Sequence, residues 1–276
     1  GEGFEKENDM NKQELTSLVA EILSQMNDPQ PQVKASEYKT VVYNEDRPAD
    51  TGSVEDVSQI DLRKLYLVEN PEKDEEYRRL KLRTPARLGS GKAGARYKTL
   101  TMLRFRADHA AAQDAVFSQV PEDYAQKNGL VPVQTCCKSK DEYLTRPDHG
   151  RCFDEENQKK IRAAVTGHPR VQLVIGDGLS SAAIAANAMD CVAALRDGLK
   201  ARNISTGKAI FVKYCRVGAG DAIGDVTGCE LVCMLVGERP GLVTDKSMSA
   251  YITYRPRTGV SESARTVVSN IHSQGT

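Results

Sequence analysis

Two almost unbroken apolar runs of strand length, residues 171–175 and 231–236, constrain the fold most strongly. Such runs are typical of strands that are covered on both faces, as in a parallel sheet between helices. In open parallel sheets, ligands bind at the carboxyl ends of the strands. The second run ends in Val-Gly-Glu-Arg-Pro-Gly (236–241), which places a carboxylate and a guanidinium at such an end. We therefore expect a ligand-binding sheet in this half of the chain.

The length of 276 residues suggests about two domains, and a hydrophobic content of 39% is too low for a membrane protein. We expect residues 57–168 to be mainly helical, and residues 169–276 to form an α/β domain with a mostly parallel sheet. The expected helices of the second domain are 179–202, a short one near Asp221, and 262–270. We expect a further short strand at 251–254. The polar, acidic start of the chain predicts no secretory signal.

Residues 1–26 contain a short amphipathic pattern, in which apolar residues from Leu15 to Met26 recur at helical spacing. Asn11 can cap this helix, with Glu14 three residues later, as in a capping box. Residues 27–56 are rich in polar residues and proline, which predicts a flexible linker. The helix either folds back on the core or docks onto another protein, and the sequence leaves both open.

The charges balance over the whole chain, with 38 basic and 38 acidic residues, but they are unevenly spread. Ten basic residues and no acidic residue lie between Tyr77 and Arg106. Such a segment needs a partner, and without regular aromatic interleaving it is poorly suited to stacking on bases. We favour a protein interface over nucleic acid or solvent.

Seven cysteines, an odd number without a C-x-x-C pair, argue against a disulfide framework or a metal site. Cys191, Cys229 and Cys233 fall within apolar helix or strand patterns. We expect them to be buried free thiols in a reducing compartment. The four histidines share no spacing typical of metal ligands, so no metal site is predicted.

The sequence contains only incomplete versions of the known phosphate and nucleotide motifs. Gly176–Ser181 resembles a dinucleotide fingerprint but lacks its third glycine, and no carboxylate is placed for a ribose hydroxyl. This argues against an NAD site and favours a helix cap by Ser180 or Ser181, with anion binding left open. Gly89–Gly94 fails the phosphate-loop pattern. No set of catalytic residues is evident, which favours a cofactor-binding or accessory subunit.

Several blocks together carry a family resemblance, and the chain closely resembles the small subunit of ethanolamine ammonia-lyase over roughly residues 57–276. The blocks, in order, are Leu-Gly-Ser-Gly-Lys-Ala-Gly (88–94), Leu-Arg-Phe-Arg-Ala-Asp-His (103–109), Tyr-Leu-Thr-Arg-Pro-Asp-His-Gly-Arg (143–151), Asp-Gly-Leu-Ser-Ser (177–181), Val-Gly-Glu-Arg-Pro-Gly-Leu (236–242) and Ser-Asn-Ile-His-Ser-Gln-Gly-Thr (269–276).

The resemblance implies an adenosylcobalamin-dependent lyase that converts ethanolamine to acetaldehyde and ammonia by a radical route. It implies that the large subunit, a TIM barrel, holds the substrate pocket. The small subunit is then expected to complete the cobalamin site with a Rossmann-like domain, and to carry no catalytic residue of its own. The alternative is a non-catalytic cobalamin- or nucleotide-binding assembly module, and an NAD-dependent oxidoreductase is a weaker third hypothesis.

Three positions match the cobalamin contacts of the family. Val217 is expected to pack on an apolar face of the cofactor, and Glu238 to accept hydrogen bonds from the amides of the corrin side chains. Val267 is expected to make backbone or apolar contact. The chain lacks the D-x-H-x-x-G sequence of base-off cobalamin proteins, which implies base-on binding.

The resemblance also suggests a location, because ethanolamine breakdown often takes place in a bacterial microcompartment in the cytoplasm. Short amphipathic N-terminal helices target enzymes to the shells of such compartments. The first helix therefore becomes a candidate shell-targeting segment. Neither nucleic acid nor a membrane is expected as a partner.

Overall fold

The computed structural model describes residues 12–24, 56–84 and 86–275. The described residues belong to two compact units. The first contains those of residues 1–28, 115–240 and 245–276, and the second contains those of residues 29–114 and 241–244. None of the described helices is both long and apolar enough to span a membrane.

A six-stranded, mostly parallel sheet forms the centre of the first unit, in the order β3-β5-β4-β6-β7-β8. Strands β3, β5, β4 and β6 are mutually parallel, whereas β7 runs antiparallel to both β6 and β8. The predicted α/β class with a mostly parallel sheet is confirmed. Its strands are β3 (Val131–Gln134), β4 (Val171–Asp177), β5 (Ile210–Lys213), β6 (Leu231–Gly237), β7 (Met248–Tyr254) and β8 (Thr266–Ile271).

Helices cover both faces of this sheet, as the apolar runs in β4 and β6 predict. Every residue of these two strands is buried. One face packs against α7, in a cluster that contains Leu195, and the other packs against α6 and α8, in a cluster that contains Ile161 and Ile223. The helices of this unit are α4 (Tyr124–Lys127), α5 (Lys140–Thr145), α6 (Glu155–Ala164), α7 (Ser181–Ala201) and α8 (Ala219–Thr227).

The edge strand β3 lies within the range that the sequence assigned to a mainly helical domain. It pairs in parallel with β5, and residues from Ala115 onward belong to the same unit as the sheet. The two compact units of the structure therefore do not meet at the domain boundary that was expected between residues 168 and 169. Pro132 sits within β3, where a missing N–H is tolerated because one side of an edge strand has no partner.

The prediction of a helix at 262–270 is wrong. A single 3-10 turn at Glu262–Ala264 is followed by β8, which pairs with β7 in an antiparallel register. Val267 and Val268 are β-branched and favour an extended backbone, and the free edge of β7 supplies the hydrogen-bonding partners. β7 begins at Met248, three residues before the strand that the sequence predicted at 251–254.

The first helix, α1 (Lys12–Ser24), packs against α7 and the strands β7 and β8. Leu18 and Val19 are buried in the same cluster as α7. For this part of the chain the structure shows the folded-back arrangement. The predicted cap at Asn11 and the linker at residues 27–55 lie outside the described residues, while Asp56 caps the 3-10 turn at Val57–Gln59.

The second unit contains α2 (Asp74–Lys81), a short hairpin of β1 (Lys92–Ala93) and β2 (Arg96–Tyr97), and most of α3 (Thr99–Phe117). The glycine loop at 89–94 turns here through positive φ angles. A Cβ on Gly91 would lie 2.5 Å from the carbonyl oxygen of Leu67. The loop therefore needs glycine for close packing within the unit.

Candidate cofactor site at the carboxyl edge of the sheet

Two turns leave the sheet at the same edge, one on each side of β4. Gly176 in β4 is in register with Val212 in β5 and with Val236 in β6. The turn from β5 to α8 contains Val217, and the turn after β6 contains Glu238. Since the carboxyl ends of neighbouring parallel strands are the usual place for ligands, this edge is the candidate site.

The turn before Val217 is held by the block at 143–151. Tyr214 has a left-handed backbone, with φ of 58°, and the N–H of Cys215 donates to the carbonyl oxygen of Asp177 at 2.9 Å. The guanidinium of Arg216 donates to the carbonyl oxygen of Tyr143 at 2.7 Å and lies 4.3 Å from the centre of its ring. This block, which the sequence analysis uses only for the family resemblance, supports the loop that presents Val217.

Several titratable side chains lie behind the turn, and each interacts with other groups of this chain. Burial raises the pKa of Asp177, whose carboxylate accepts a hydrogen bond from Ser181 Oγ at 2.6 Å. Burial also raises the pKa of Tyr143 and lowers that of Lys140, which donates to the carbonyl oxygen of Gly178 at 2.6 Å. Tyr143 is 1% exposed. These groups therefore help to hold the scaffold behind the turn.

The amino end of α7 is capped and enclosed by its own chain. Ser180 Oγ accepts a hydrogen bond from the N–H of Ala183 at 3.1 Å, which confirms the predicted cap. Ser180 and Ser181 are both buried. A Cβ on Gly237 would overlap the carbonyl oxygen of Ser180, so this glycine lets the end of β6 pack closely against the start of α7.

The carboxylate of Glu238 is held by three donors from two neighbouring segments. Its Oε1 accepts from Ser249 Oγ at 2.5 Å and from the N–H of Asn270 at 2.7 Å, while its Oε2 accepts from Ser247 Oγ at 2.6 Å. Burial raises the pKa of Glu238, but these hydrogen bonds lower it more strongly, and the net pKa lies below the usual value. The carboxylate is therefore ionised and half-buried. A carboxylate offers about four acceptor positions, so one remains for a ligand.

An ion pair joins α8 to the residue that precedes β8. The Arg265 side chain is 3% exposed, and its guanidinium donates to both oxygens of Asp221 at 2.9 Å. Asp221 lies four residues after Val217, and Arg265 lies two residues before Val267. Val267 itself lies within β8 and is 46% exposed.

Of the three positions expected from the sequence, Val217 and Glu238 follow the carboxyl ends of β5 and β6, whereas Val267 lies within β8, in register with Tyr251 in the middle of β7. The segment 265–270 contacts the elements that carry the other two, because Arg265 binds α8 and the Asn270 N–H binds Glu238. Sequence reasoning missed the residues that hold these positions in place. One signal was available: Ser247 and Ser249 are two apart, so they share a face of an extended chain. The holding residues are Ser247, Ser249, Asn270, Asp221 and Arg265.

The second unit carries a different kind of surface, made of exposed apolar and basic side chains. Part of its basic segment is paired internally: Arg87 and Arg104 both bind Asp108, at 2.6 Å and 2.9 Å. Other members remain exposed beside large apolar residues, a composition typical of protein interfaces. This exposed set consists of Arg79, Arg83, Lys92, Arg96 and Arg106 with Val68, Tyr77, Leu80, Tyr97, Met102, Leu103 and Phe105.

Comparisons with known proteins show the family of this chain. The sequence model of the family "Ethanolamine ammonia-lyase light chain (EutC)" matches residues 74–276. The chain belongs to the ethanolamine ammonia-lyase light-chain family. It is 51% identical to the ethanolamine ammonia-lyase small subunit of Clostridium perfringens over 97% of this chain and 91% of the relative. It is 52% identical to that of Clostridioides difficile and 51% identical to that of Listeria innocua, with the same coverage.

Membership of the light-chain family confirms the resemblance drawn from the sequence blocks. Several of these blocks have structural roles in this chain: residues 143–151 support the Val217 turn, and residues 236–242 carry Glu238. In residues 103–109, Arg104 pairs with Asp108 along α3. The blocks identify the family, while the contacts between them show how a light chain shapes the edge of its sheet.

Proposed function

We propose that this chain is the small subunit of an adenosylcobalamin-dependent ethanolamine ammonia-lyase. The complex converts ethanolamine to acetaldehyde and ammonia, with the substrate pocket in a TIM-barrel large subunit and the cobalamin site completed by this chain. The observation that carries the proposal is that this chain is about half identical to proteins named as small subunits of this lyase, and the position of Val217 and Glu238 at the carboxyl edge of the sheet supports it. These three residues are the proposed cobalamin contacts.

The three proposed contacts fit the chemistry of a corrin. Corrin side chains end in amides, which donate hydrogen bonds, and the free acceptor position of the Glu238 carboxylate suits such a donor. Val217 is half-buried and Val267 is exposed, so both offer apolar surface. Adenosylcobalamin, when bound, supplies radical chemistry through homolysis of its cobalt–carbon bond.

The chain's own residues bind and orient the cofactor in this proposal. The three donors fix the direction of the Glu238 carboxylate, so it needs little reorganisation when it accepts a further hydrogen bond. The two valines exclude water from the apolar face of the cofactor. Base-on binding follows from the absence of the D-x-H-x-x-G sequence.

The proposal is tested by mixing this chain with a candidate large subunit and adenosylcobalamin, and then measuring acetaldehyde. We expect activity only when both subunits are present. Turnover by this chain with cofactor alone would overturn the division of roles. A stable monomer of this chain that binds cobalamin, but activates no large subunit, would favour the assembly module.

We further propose that the exposed set on the second unit contacts the large subunit. Reversing Arg83, Lys92 and Arg96 together should weaken that association and leave the fold intact, because like charges across an interface cost several kcal/mol. Arg87 is unsuitable for this test because its guanidinium also holds Asp108 and the carbonyl oxygen of Leu242. Unchanged co-purification at physiological salt would show that these charges only face solvent.

Shell targeting in a bacterial microcompartment remains a proposal for the first helix. The burial of Leu18 and Val19 supports a structural role, since these two side chains already have a partner surface. Attachment to a shell would then use the remaining faces of α1 or the residues before it. Encapsulation of a reporter fused to residues 1–26 would support targeting, and a reporter that stays outside the shell would count against it.

A further inference from the structure

Two of the seven cysteines lie side by side, and they are the two that are not buried. Cys136 follows β3 and Cys152 precedes α6, 16 positions apart, with their sulfur atoms 3.0 Å from each other. The other five, Cys137, Cys191, Cys215, Cys229 and Cys233, are buried. A reagent in solution therefore meets this pair before any other thiol.

The backbone holds the pair in place independently of the side chains. The N–H of Cys136 donates to the carbonyl oxygen of Cys152 at 3.0 Å. A disulfide needs its two Cα atoms close together, and a direct hydrogen bond between the two backbones provides this. Forming the bond then requires only that the sulfur atoms approach each other.

We propose that Cys136 and Cys152 form a reversible disulfide when the protein meets a peroxide. The exposed Cys152 thiolate attacks one peroxide oxygen, which forms a sulfenic acid and releases hydroxide. The Cys136 sulfur then attacks the Cys152 sulfur and water leaves. The released hydroxide takes up the proton that Cys152 lost when it formed its thiolate, so in total two thiols are oxidised to one disulfide and one hydrogen peroxide is reduced to two waters. An added dithiol reverses the reaction and becomes a disulfide itself.

The difference between the two thiols determines which of them meets the oxidant first. Burial, together with the hydrogen bond from Cys152, raises the pKa of Cys136 to about 12, so Cys136 is poorly suited to meet the oxidant first. Cys152 is exposed. In a compartment that keeps buried thiols reduced, a disulfide of this kind is typically transient and redox-sensing.

The bond would affect a segment next to the candidate cofactor site. Arg151, which precedes Cys152, packs its side chain against Gly218 at the start of α8, and the carbonyl oxygen of Gly150 accepts from the N–H of Arg216. The disulfide would tie this segment to the end of β3 and so restrain the support of the turn that carries Val217.

The test treats the purified full-length chain with hydrogen peroxide, alkylates the free thiols and maps tryptic peptides. We expect a cross-link between peptides 128–138 and 152–159, which dithiothreitol reverses. Cys137→Ser is the matched control, because Cys137 lies in the same peptide as Cys136. The cross-link should persist in that variant and vanish in Cys152→Ser.

A second measurement checks the restraint itself. Oxidation should raise the melting temperature by about 5–10 °C, as expected for closing a loop of this length, and Cys152→Ser should show no such peroxide-dependent shift. The proposal is overturned if Cys152 stays alkylatable or proceeds to sulfinic acid while Cys136 remains free. Loss of the cross-link in Cys137→Ser, or failure of dithiothreitol to reverse it, would overturn it equally.

Discussion

Replacing Glu238 separates its structural role from its proposed role in cofactor binding. Glu238→Ala removes the acceptor of three hydrogen bonds, from Ser247 Oγ, Ser249 Oγ and the N–H of Asn270. It also removes the acceptor position proposed for an amide of the corrin. The variant should therefore lose both stability and cobalamin affinity.

The stability loss follows from the partners that are left behind. Hydrogen bonds to a charged group contribute about 1.5–3 kcal/mol each, but the two serine hydroxyls can turn toward water at this half-exposed site. The Asn270 N–H is fixed in direction by the backbone. We expect a total loss of about 2–4 kcal/mol for Glu238→Ala. Glu238→Gln keeps one acceptor oxygen and should lose about half as much.

The loss of cobalamin affinity is measured separately, in the assembled complex. One unpaired donor on the cofactor should cost about 1.5–3 kcal/mol of binding free energy, which makes the dissociation constant about 10- to 150-fold larger. Glu238→Gln should again lose less than Glu238→Ala. Ser249→Ala is the matched control, because it removes one internal donor but leaves the carboxylate. It should lower stability and change cobalamin affinity by less than about threefold.

The assay measures the melting temperature and the cobalamin titration of the same preparations. If Glu238→Ala melts earlier but binds cobalamin as tightly as wild type, Glu238 only holds the strands together and its proposed contact is wrong. Acid titration adds a check on the ionised state. The folded-state pKa of Glu238 is lowered, so its contribution is present above the unfolded value near pH 4.3. The difference in the free energy of unfolding between wild type and Glu238→Gln should shrink as the pH falls below about 4.

Three further changes test other parts of the first unit. Arg265→Met should lower the free energy of unfolding by about 3–5 kcal/mol in chemical denaturation, because it leaves Asp221 buried without its partner; a loss below 1 kcal/mol would show that the pair is weak. Gly237→Ala should reduce the yield of folded protein because its Cβ has no space, whereas Gly241→Ala, with nothing within 4 Å, should not; equal yields would refute the packing argument. Deleting residues 1–26 should lower the melting temperature, since α1 covers part of the core; an unchanged value would show that the helix is dispensable for stability.

The sequence determined the elements that depend on local pattern. The apolar runs that became β4 and β6 predicted buried parallel strands, and the helix after Gly178 was predicted to within two residues of α7. Burial of Cys191, Cys229 and Cys233 followed from the same patterns and is confirmed. In each case the neighbours of a residue along the chain already define which face must be covered.

The strand β8 shows what local pattern could not decide. The segment after Glu262 carries polar residues around two valines, a pattern short enough to suit either a helix or a strand. Pairing with β7 determined that the segment forms a strand, because the edge of β7 offers backbone hydrogen-bonding partners that a helix would leave unused. The edge strand β3 was missed for a related reason: four residues with a proline form a strand only where a neighbour such as β5 is present.

The residues of the candidate site also fall into two groups, those that the sequence indicates and those that only the fold brings together. Glu238 could be singled out from the sequence, because an acidic residue after an apolar strand points to the ligand edge of a sheet. Its backbone donor could not, since Asn270 lies 32 positions away and meets Glu238 only when β6, β7 and β8 align. Likewise, Arg265 pairs with Asp221, which lies 44 positions earlier in the chain. Contacts of this range depend on the register of the whole sheet, so only the tertiary structure decided which groups surround the site.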